Sequence, residues 1–221
     1  MEIAAFDIGL ACSGYPYGLL AAGQLAAATG KKVLLVDGDV QSAHVDASDP
    51  NTLAVMGDAA TATLVSATDG PARFAFRTDG AGADVLHCGA DGVIHMDGFG
   101  VFRFVAGSVT EFLRGFLAET GVPDLFVPHQ ANMYMVRQLA KSLNLSNQLL
   151  TSGEQYANPG SCSVPLTLAS SYGRAGARPS REGRAPARPP RALLAGFGAG
   201  LSAAAASVEI SPTCKRGVVE L

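Results

Sequence analysis

A Leu- and Ala-rich segment over residues 15–29 is closed by Gly30 and runs at once into Lys32-Val33-Leu34-Leu35-Val36. The first reads as a buried helix ended by a left-handed glycine. The second reads as a β-branched, fully apolar strand of the kind covered on both faces in a parallel sheet. A helix feeding directly into such a strand restricts the chain to a few layered architectures. The rest of the pattern agrees. Residues 5–11 are short and apolar, 60–67 alternate, and 73–78 alternate around Phe74 and Phe76. Residues 79–100 are rich in Gly and Asp and read as loops. Ser108 opens a predicted helix to about Glu119, with Glu111 placed as in a capping box. Residues 124–127 form a strand ending at Pro128-His129, and 132–143 repeat apolar residues at helical spacing. Residues 161–171 read as a small-residue helix, and 193–210 as two apolar strands around Gly196-Phe197-Gly198-Ala199-Gly200. Strands alternate with helices, which places the chain in the α/β class with a largely parallel sheet.

Composition excludes several classes. With 48% hydrophobic and 16% charged residues over 221 positions, the chain as a whole is not disordered. A net charge of −3 argues against a general nucleic-acid binder. The longest membrane candidate, Leu193 to Val208, has 16 residues full of Gly and Ala and falls short of a span. The start of the chain has no basic region of the signal-peptide kind. Cys12, Cys88, Cys162 and Cys214 lie far apart without a C-x-x-C pair, which fits neither a disulfide framework nor a zinc site, so a reducing cytoplasm is expected. His44, His87 and His95 read as loop histidines, not metal ligands. Gly30-Lys31 lacks the first glycine of a phosphate loop, and Gly196-x-Gly198-x-Gly200 lacks the last glycine of a dinucleotide fingerprint.

Charge is unevenly spread. Residues 174–191 hold six arginines against Glu182, or +5 where the whole chain has −3, so the remainder carries −8. Such an Arg/Pro/Gly/Ala segment cannot bury a face. It reads as a solvated linker, as a basic patch for an acidic partner, or as the product of a frameshift in a GC-rich gene.

Three polar residues sit at element junctions. Cys12 precedes the first helix, where unpaired N–H groups and the helix dipole stabilise a thiolate. His129 follows a strand, and Asn158 lies in the loop Tyr156-Ala157-Asn158-Pro159-Gly160. An imidazole can take a thiol proton or donate to an oxyanion, and a carboxamide can donate beside it. Spacing alone leaves the alternative of a small core cysteine open.

Phe6-Asp7-Ile8-x-x-Ala11-Cys12-Ser13-Gly14-Tyr15-x-Tyr17-Gly18-Leu19 resembles the nucleophile region of β-ketoacyl-[acyl carrier protein] synthase III, of the thiolase superfamily. Gly57-Asp58-Ala59-Ala60-Thr61-Ala62 and Met96-Asp97-Gly98-x-x-Val101-Phe102 are similar to further segments of that family. Val127-Pro128-His129-Gln130-Ala131-Asn132 resembles its histidine motif, Tyr156-Ala157-Asn158-Pro159-Gly160-Ser161-Cys162-Ser163-Val164-Pro165-Leu166 its asparagine loop, and Gly196 to Leu201 its glycine turn. The asparagine loop usually reads YGN, where this chain has Ala157.

The resemblance implies a thiolase-like layered α/β/α/β/α fold with an incomplete first half. Residues 1–85 would be the remainder of the N-terminal half carrying the nucleophile, and 86–221 the C-terminal half, interrupted at 174–191. The chain would begin about a third of the way along the family pattern. The resemblance implies that Cys12 carries an acyl group, that His129 and Asn158 stabilise a thioester enolate, and that backbone N–H groups of Cys12, Gly198 and Ala199 hold the tetrahedral oxyanion. It implies acyl-CoA and malonyl-acyl carrier protein as substrates, no metal or redox cofactor, and a homodimer. Where the family has an arginine that docks the carrier, this chain has Tyr134, with Arg137 one turn on. Two other readings stay open: a non-catalytic partner subunit or gene remnant, and an acyltransferase that passes its acyl group to an alcohol or amine without decarboxylation.

Overall fold

The computed structural model describes residues 3–67, 70–172, 188–211, 214 and 217–219. In chain order the elements are α1 (Gly14–Thr29), β1 (Val33–Asp39), α2 (Pro50–Leu53), β2 (Ala59–Val65), β3 (Arg73–Thr78), β4 (Leu86–Cys88), β5 (Ile94–Met96), α3 (Gly98–Phe104), α4 (Thr110–Thr120), β6 (Leu125–Pro128), α5 (Met133–Ser142), α6 (Gly153–Tyr156), α7 (Ser163–Ser171), β7 (Arg191–Gly198) and β8 (Ser202–Glu209). Tight 3-10 turns at Ala11–Ser13 and Gly160–Cys162 lead into α1 and α7.

The elements stack as sheet, helices, sheet, helices. The larger sheet has the order β3-β8-β7-β6, and β1 pairs with β2 in a separate antiparallel ribbon. Helices α1 and α7 lie between the two. Period-two alternation explains the fit. On β7, Leu193, Ala195 and Phe197 face a core shared with α3, α4 and α5, while Ala192 and Leu194 face a core shared with Tyr15, Val164 and Leu168 of the central helices. Both faces are covered, so β7 and β8 read as unbroken apolar runs. Helix α1 buries a stripe of small residues, Gly14, Gly18, Ala22 and Ala26. At Gly18 an added Cβ would stand 2.9 Å from Leu35 Cδ1, so the ribbon sits directly on the helix.

Several expectations are corrected. Among the described strands only β6 and β7 pair in parallel, and the other strand pairs are antiparallel. The apolar run at Val33 belongs to a ribbon covered on one face: Leu34, Val36 and Leu64 are 60%, 63% and 63% exposed. No strand forms over 5–11; those residues are irregular and mostly exposed. The region read as loops, 79–100, contains β4 and β5, and Asp97 caps α3 by accepting from Phe99 N at 3.1 Å. Ser108 opens no helix. It lies in a π-helical turn, Val105–Val109, that joins α3 to α4, and Thr110 Oγ1 donates to Val105 O at 2.8 Å there. The expected capping box fails because Asp97, eleven residues earlier, already starts the helix and the apolar side chains of 101–109 continue it.

The Arg/Pro segment is described only at its end, since 173–187 lie outside the described residues. Arg188 makes paired bonds to Asp124 at 2.9 and 3.1 Å, and Arg191 N donates to the same carboxylate at 2.8 Å. These two arginines therefore dock the entry to β7 against the start of β6.

One buried group on the inner face of the ribbon is out of character. Asp37 is 8% exposed and opposite Thr61. Neither Asp37 Oδ2 nor Thr61 Oγ1 has a hydrogen-bond partner. Burial, and then the charge of Asp39, push the Asp37 carboxyl from 3.8 up to about 6. The folded state thus holds this proton more tightly than the unfolded chain. Its stability is fullest below 3.8 on this account and is lost as pH rises through about 6. Asp37→Asn is expected to raise stability by roughly 1–2 kcal/mol at pH 8, after allowance for solvent screening, and to leave it nearly unchanged at pH 4. Urea melts at the two pH values check this, and equal midpoint gains at both would count against it.

Candidate active site

The nucleophile candidate is presented by strain and by close backbone packing. Ala11, directly before Cys12, has φ +42, a value that favours glycine. The turn it begins sits on β7. An added Cβ at Gly198 would lie 2.8 Å from Cys12 Cβ and 3.0 Å from its Sγ. At Gly196 it would lie 2.7 Å from Ser13 Cα and 2.8 Å from Cys12 O. Buried Ser13 adds a polar tie, since its hydroxyl is 3.0 Å from Leu10 O and 2.7 Å from Ser202 Oγ, which in turn is 2.7 Å from Ala199 O. The glycine turn and the nucleophile turn are thus joined.

The expected helix-stabilised thiolate is not what the structure gives. Burial, followed by the negative charge of Asp39, pushes the Cys12 thiol up to about 12. Desolvation and the Asp39 charge outweigh the backbone hydrogen bond that acts the other way, so the thiol form is favoured.

His129 is 2% exposed and follows β6, where its N–H donates to Ala195 O at 2.7 Å. Burial pushes its imidazolium down to about 4, against smaller upward effects of Asp39 and a backbone bond with Gly160. The ring is neutral at pH 7. Its Nδ1 is 2.7 Å from Ser163 Oγ, and Gln130 N donates to that same oxygen at 3.4 Å. The serine hydroxyl can donate to Nδ1, leaving Nε2–H as a donor, or accept from Nδ1–H, leaving the Nε2 lone pair as a proton acceptor, so the neutral ring can serve either way. Phe197 meets the ring edge-on at 5.4 Å between centroids. Gln130 reaches back to Pro128 O at 2.7 Å and accepts from Ser152 N at 3.1 Å and Gly153 N at 3.2 Å.

Asn158 is 7% exposed. Its Oδ1 accepts from Gly160 N at 3.1 Å, and the amide nitrogen is the side chain's donor. Its main chain bridges to Met56 and donates to Val55 O at 2.9 Å. Ala157 stands at φ +55, where the usual glycine would be unstrained. Strain therefore precedes both Cys12 and Asn158.

The turn that carries Cys12 packs against the Gly160–Cys162 turn that follows Asn158. Gly160 links the Asn158 amide to His129, and the charge of Asp39 reaches both His129 and Cys12. Gly198 lies on Cys12, and Ala199 is tied to Ser13 through Ser202. Arg137 stands apart: it is exposed and paired with Glu154. Cys162 is buried, its thiol shared between Ala59 O at 3.0 Å and Pro159 O at 2.9 Å. Of the histidines read as lying in loops, His87 and His95 instead face each other across β4 and β5 with ring centroids 5.2 Å apart, His95 pairs with Asp91, and His44 bonds Gly92 O at 2.8 Å. Among the described residues no cluster of three or more His, Cys, Asp or Glu could hold a metal ion.

Sequence reasoning missed Asp39, Ser13, Ser163 and Ser202. Asp37 and Asp39 did carry a signal, because both fall on the inward parity of an otherwise apolar strand.

Two family models match this chain, 3-oxoacyl-[acyl-carrier-protein (ACP)] synthase III over residues 6–82 and its C-terminal counterpart over 120–210. A β-ketoacyl-[acyl-carrier-protein] synthase III of Gloeobacter violaceus is 35% identical over 90% of this chain and 65% of its own length. One of Pseudoalteromonas atlantica is 32% identical over 93% of this chain and 67% of its own. The solved 3-oxoacyl-(acyl-carrier protein) synthase of Burkholderia xenovorans superposes with a TM-score of 0.81 at 28% identity, over 93% of this chain and 64% of that one. The chain thus spans about two thirds of the length of such relatives. Motif order and layered fold have one common explanation: the chain belongs to the 3-oxoacyl-[acyl-carrier-protein] synthase III family.

Proposed function

We propose that the chain is an acyltransferase that joins an acyl thioester to malonyl-acyl carrier protein by decarboxylating Claisen condensation, in fatty-acid or related acyl biosynthesis. What supports this reading is Cys12 lying on Gly198 and a neutral imidazole and a carboxamide both bonded to Gly160.

In the first half-reaction Cys12 Sγ bonds to the acyl carbonyl carbon, the thioester C–S bond breaks, and the departing thiol takes the proton that Sγ loses. Neutral His129 is the group able to pass that proton. In the second, the malonyl C–C bond breaks and CO₂ leaves. Its electrons form a thioester enolate that accepts hydrogen bonds from His129 Nε2 and the Asn158 amide. The enolate carbon attacks acyl-Cys12, the oxyanion rests on backbone N–H groups of Cys12 and the Gly198–Ala199 turn, and its collapse breaks the acyl–sulfur bond, releasing the β-ketoacyl thioester and a Cys12 thiolate that takes a proton from water. The substrates bring their own pantetheine arms, and the reaction as written uses no metal or redox cofactor. Arg137 is the candidate carrier contact, which would take it from Glu154. A homodimer in the cytoplasm completes the reading; no helix among the described residues is long and apolar enough to cross a membrane.

Intact-protein mass after incubation with a short acyl-CoA tests this. A single acyl adduct mapping to the Cys12 peptide is expected, followed by CO₂ release when malonyl-acyl carrier protein is added. No adduct on Cys12 would overturn the proposal. Transfer to an alcohol or amine without CO₂ would establish the non-decarboxylating reading instead. The uncovered face of Leu34, Val36 and Leu64 is the observation that favours a partner-subunit role.

A further inference from the structure

Asp39 closes β1 at the point where the ribbon meets the asparagine loop. One of its oxygens, Oδ2, accepts from both Ser161 N at 2.7 Å and Ser161 Oγ at 2.6 Å. Gly160, at φ +61, lies against the same carboxylate and against the Gln41 amide, so that no Cβ fits there. A carboxylate at this position therefore closes the turn that begins at Asn158.

We propose that Asp39 is a positioning residue of the site, holding the Asn158-to-Ser161 turn in place and setting a fixed negative charge beside Cys12 and His129. This deepens the acyltransferase reading and rests on it for its catalytic meaning. The groups facing Asp39 are Asp37 on its own strand, Cys12 before α1, Cys162 before α7 and His129 after β6. Its charge disfavours a thiolate at Cys12 and favours a proton on His129. Both effects act in one direction: they keep the proton on sulfur at rest and ease its passage to the ring as Sγ attacks. A neutral residue in its place would give a more acidic thiol and a poorer proton acceptor.

The test is the pH profile of Cys12 alkylation by iodoacetamide, read on the Cys12 peptide by mass spectrometry, with exposed Cys88 as internal control. It uses the native chain and no substrate, so its failure is distinct from failure of the acyltransferase reading. Asp39→Asn keeps an oxygen for the Ser161 donors and removes the charge. It is expected to be alkylated at Cys12 about three- to tenfold faster than the parent at any pH from 7 to 9, with Cys88 unchanged. Ser161→Ala keeps the charge and removes the side-chain half of the tether, leaving the Ser161 N bond, whereas Asp39→Ala removes both halves. Ser161→Ala should show the parent's alkylation profile, and amide exchange over residues 158–161 should quicken in both, more in Asp39→Ala. Superimposable Cys12 profiles for the parent and Asp39→Asn would overturn the charge role. Parent-like amide exchange in Asp39→Ala would overturn the tether. Should Asp39→Asn fail to fold, Asp39→Glu serves: a displaced carboxylate must move the Cys12 profile, and an unmoved profile overturns the proposal.

Discussion

Asn158→Ala is expected to slow malonyl decarboxylation about 10²–10³-fold while acylation of Cys12 stays within about threefold of the parent. His129→Ala should depress both half-reactions. The contrast follows from the chemistry of the two side chains. The Asn158 amide offers a hydrogen-bond donor and no basic atom, its oxygen being engaged by Gly160 N. It can help only where negative charge builds on the substrate oxygen. His129 offers a donor too, but it is also the neutral base in a site whose thiol lies at about 12. A thiol so weakly acidic is almost wholly protonated at pH 7, so its attack requires a proton acceptor. Because the imidazolium of His129 lies at about 4, the donor form of the ring prevails at every higher pH. Decarboxylation measured apart from acylation should therefore be flat from pH 5.5 to 9, and acylation should rise with pH over the same range. Radiolabelled malonyl-acyl carrier protein and quenched-flow acylation separate the steps. An Asn158→Ala chain impaired equally in both would remove the division of labour drawn here.

How far the sequence carried depends on whether a residue's role is local. Helix α1 and its glycine terminator were legible because Gly30 ends the helix by its own backbone freedom, at φ +65. The junction positions of His129 and Asn158 were legible for the same reason, each lying beside a proline that breaks an element, and Cys12 stands two residues before Gly14. The ribbon was misread because Val33 to Val36 has the composition of a covered strand, and composition does not say how many layers exist to cover it. Helix α3 was hidden by Gly98 and Gly100, whose low helix propensity is overridden by the packing of Val101, Phe104 and Val105 into the outer core. The thiol of Cys12 was misjudged because a helix N-terminus is visible in sequence, whereas burial and a carboxylate 27 positions away, at Asp39, are tertiary facts. What joins the site is likewise long-range: Ser13 to Ser202, His129 to Ser163, Asp39 to Ser161.

The same long-range packing gives the largest expected loss of stability. Gly196→Ala places a methyl 2.7 Å from Ser13 Cα and 2.8 Å from Cys12 O. Both are backbone atoms, so no rotamer change makes room, and the turn at Ala11–Ser13 must lift off β7. That turn is held on its other side by the 2.7 Å bond from Ser13 to Ser202 and by the strained Ala11. Overpacking against such a fixed element costs about 2–4 kcal/mol. Gly198→Ala is a milder case in the same row. Its methyl meets the Cβ and Sγ of Cys12 at 2.8 and 3.0 Å, and the sulfur can rotate away. It is expected to cost about 1–2 kcal/mol yet to abolish acyl transfer, because the rotated sulfur leaves the oxyanion donors. Urea melts paired with the acyl-CoA mass assay rank the two variants, Gly196→Ala the less stable and Gly198→Ala folded but unacylated. Equal melting midpoints for Gly196→Ala and the parent would mean that the nucleophile turn does not rest on β7. An acylated Gly198→Ala chain would mean that the glycine turn does not bound the thioester, and the oxyanion site would have to be sought elsewhere along the turn from Ala11 to Ser13.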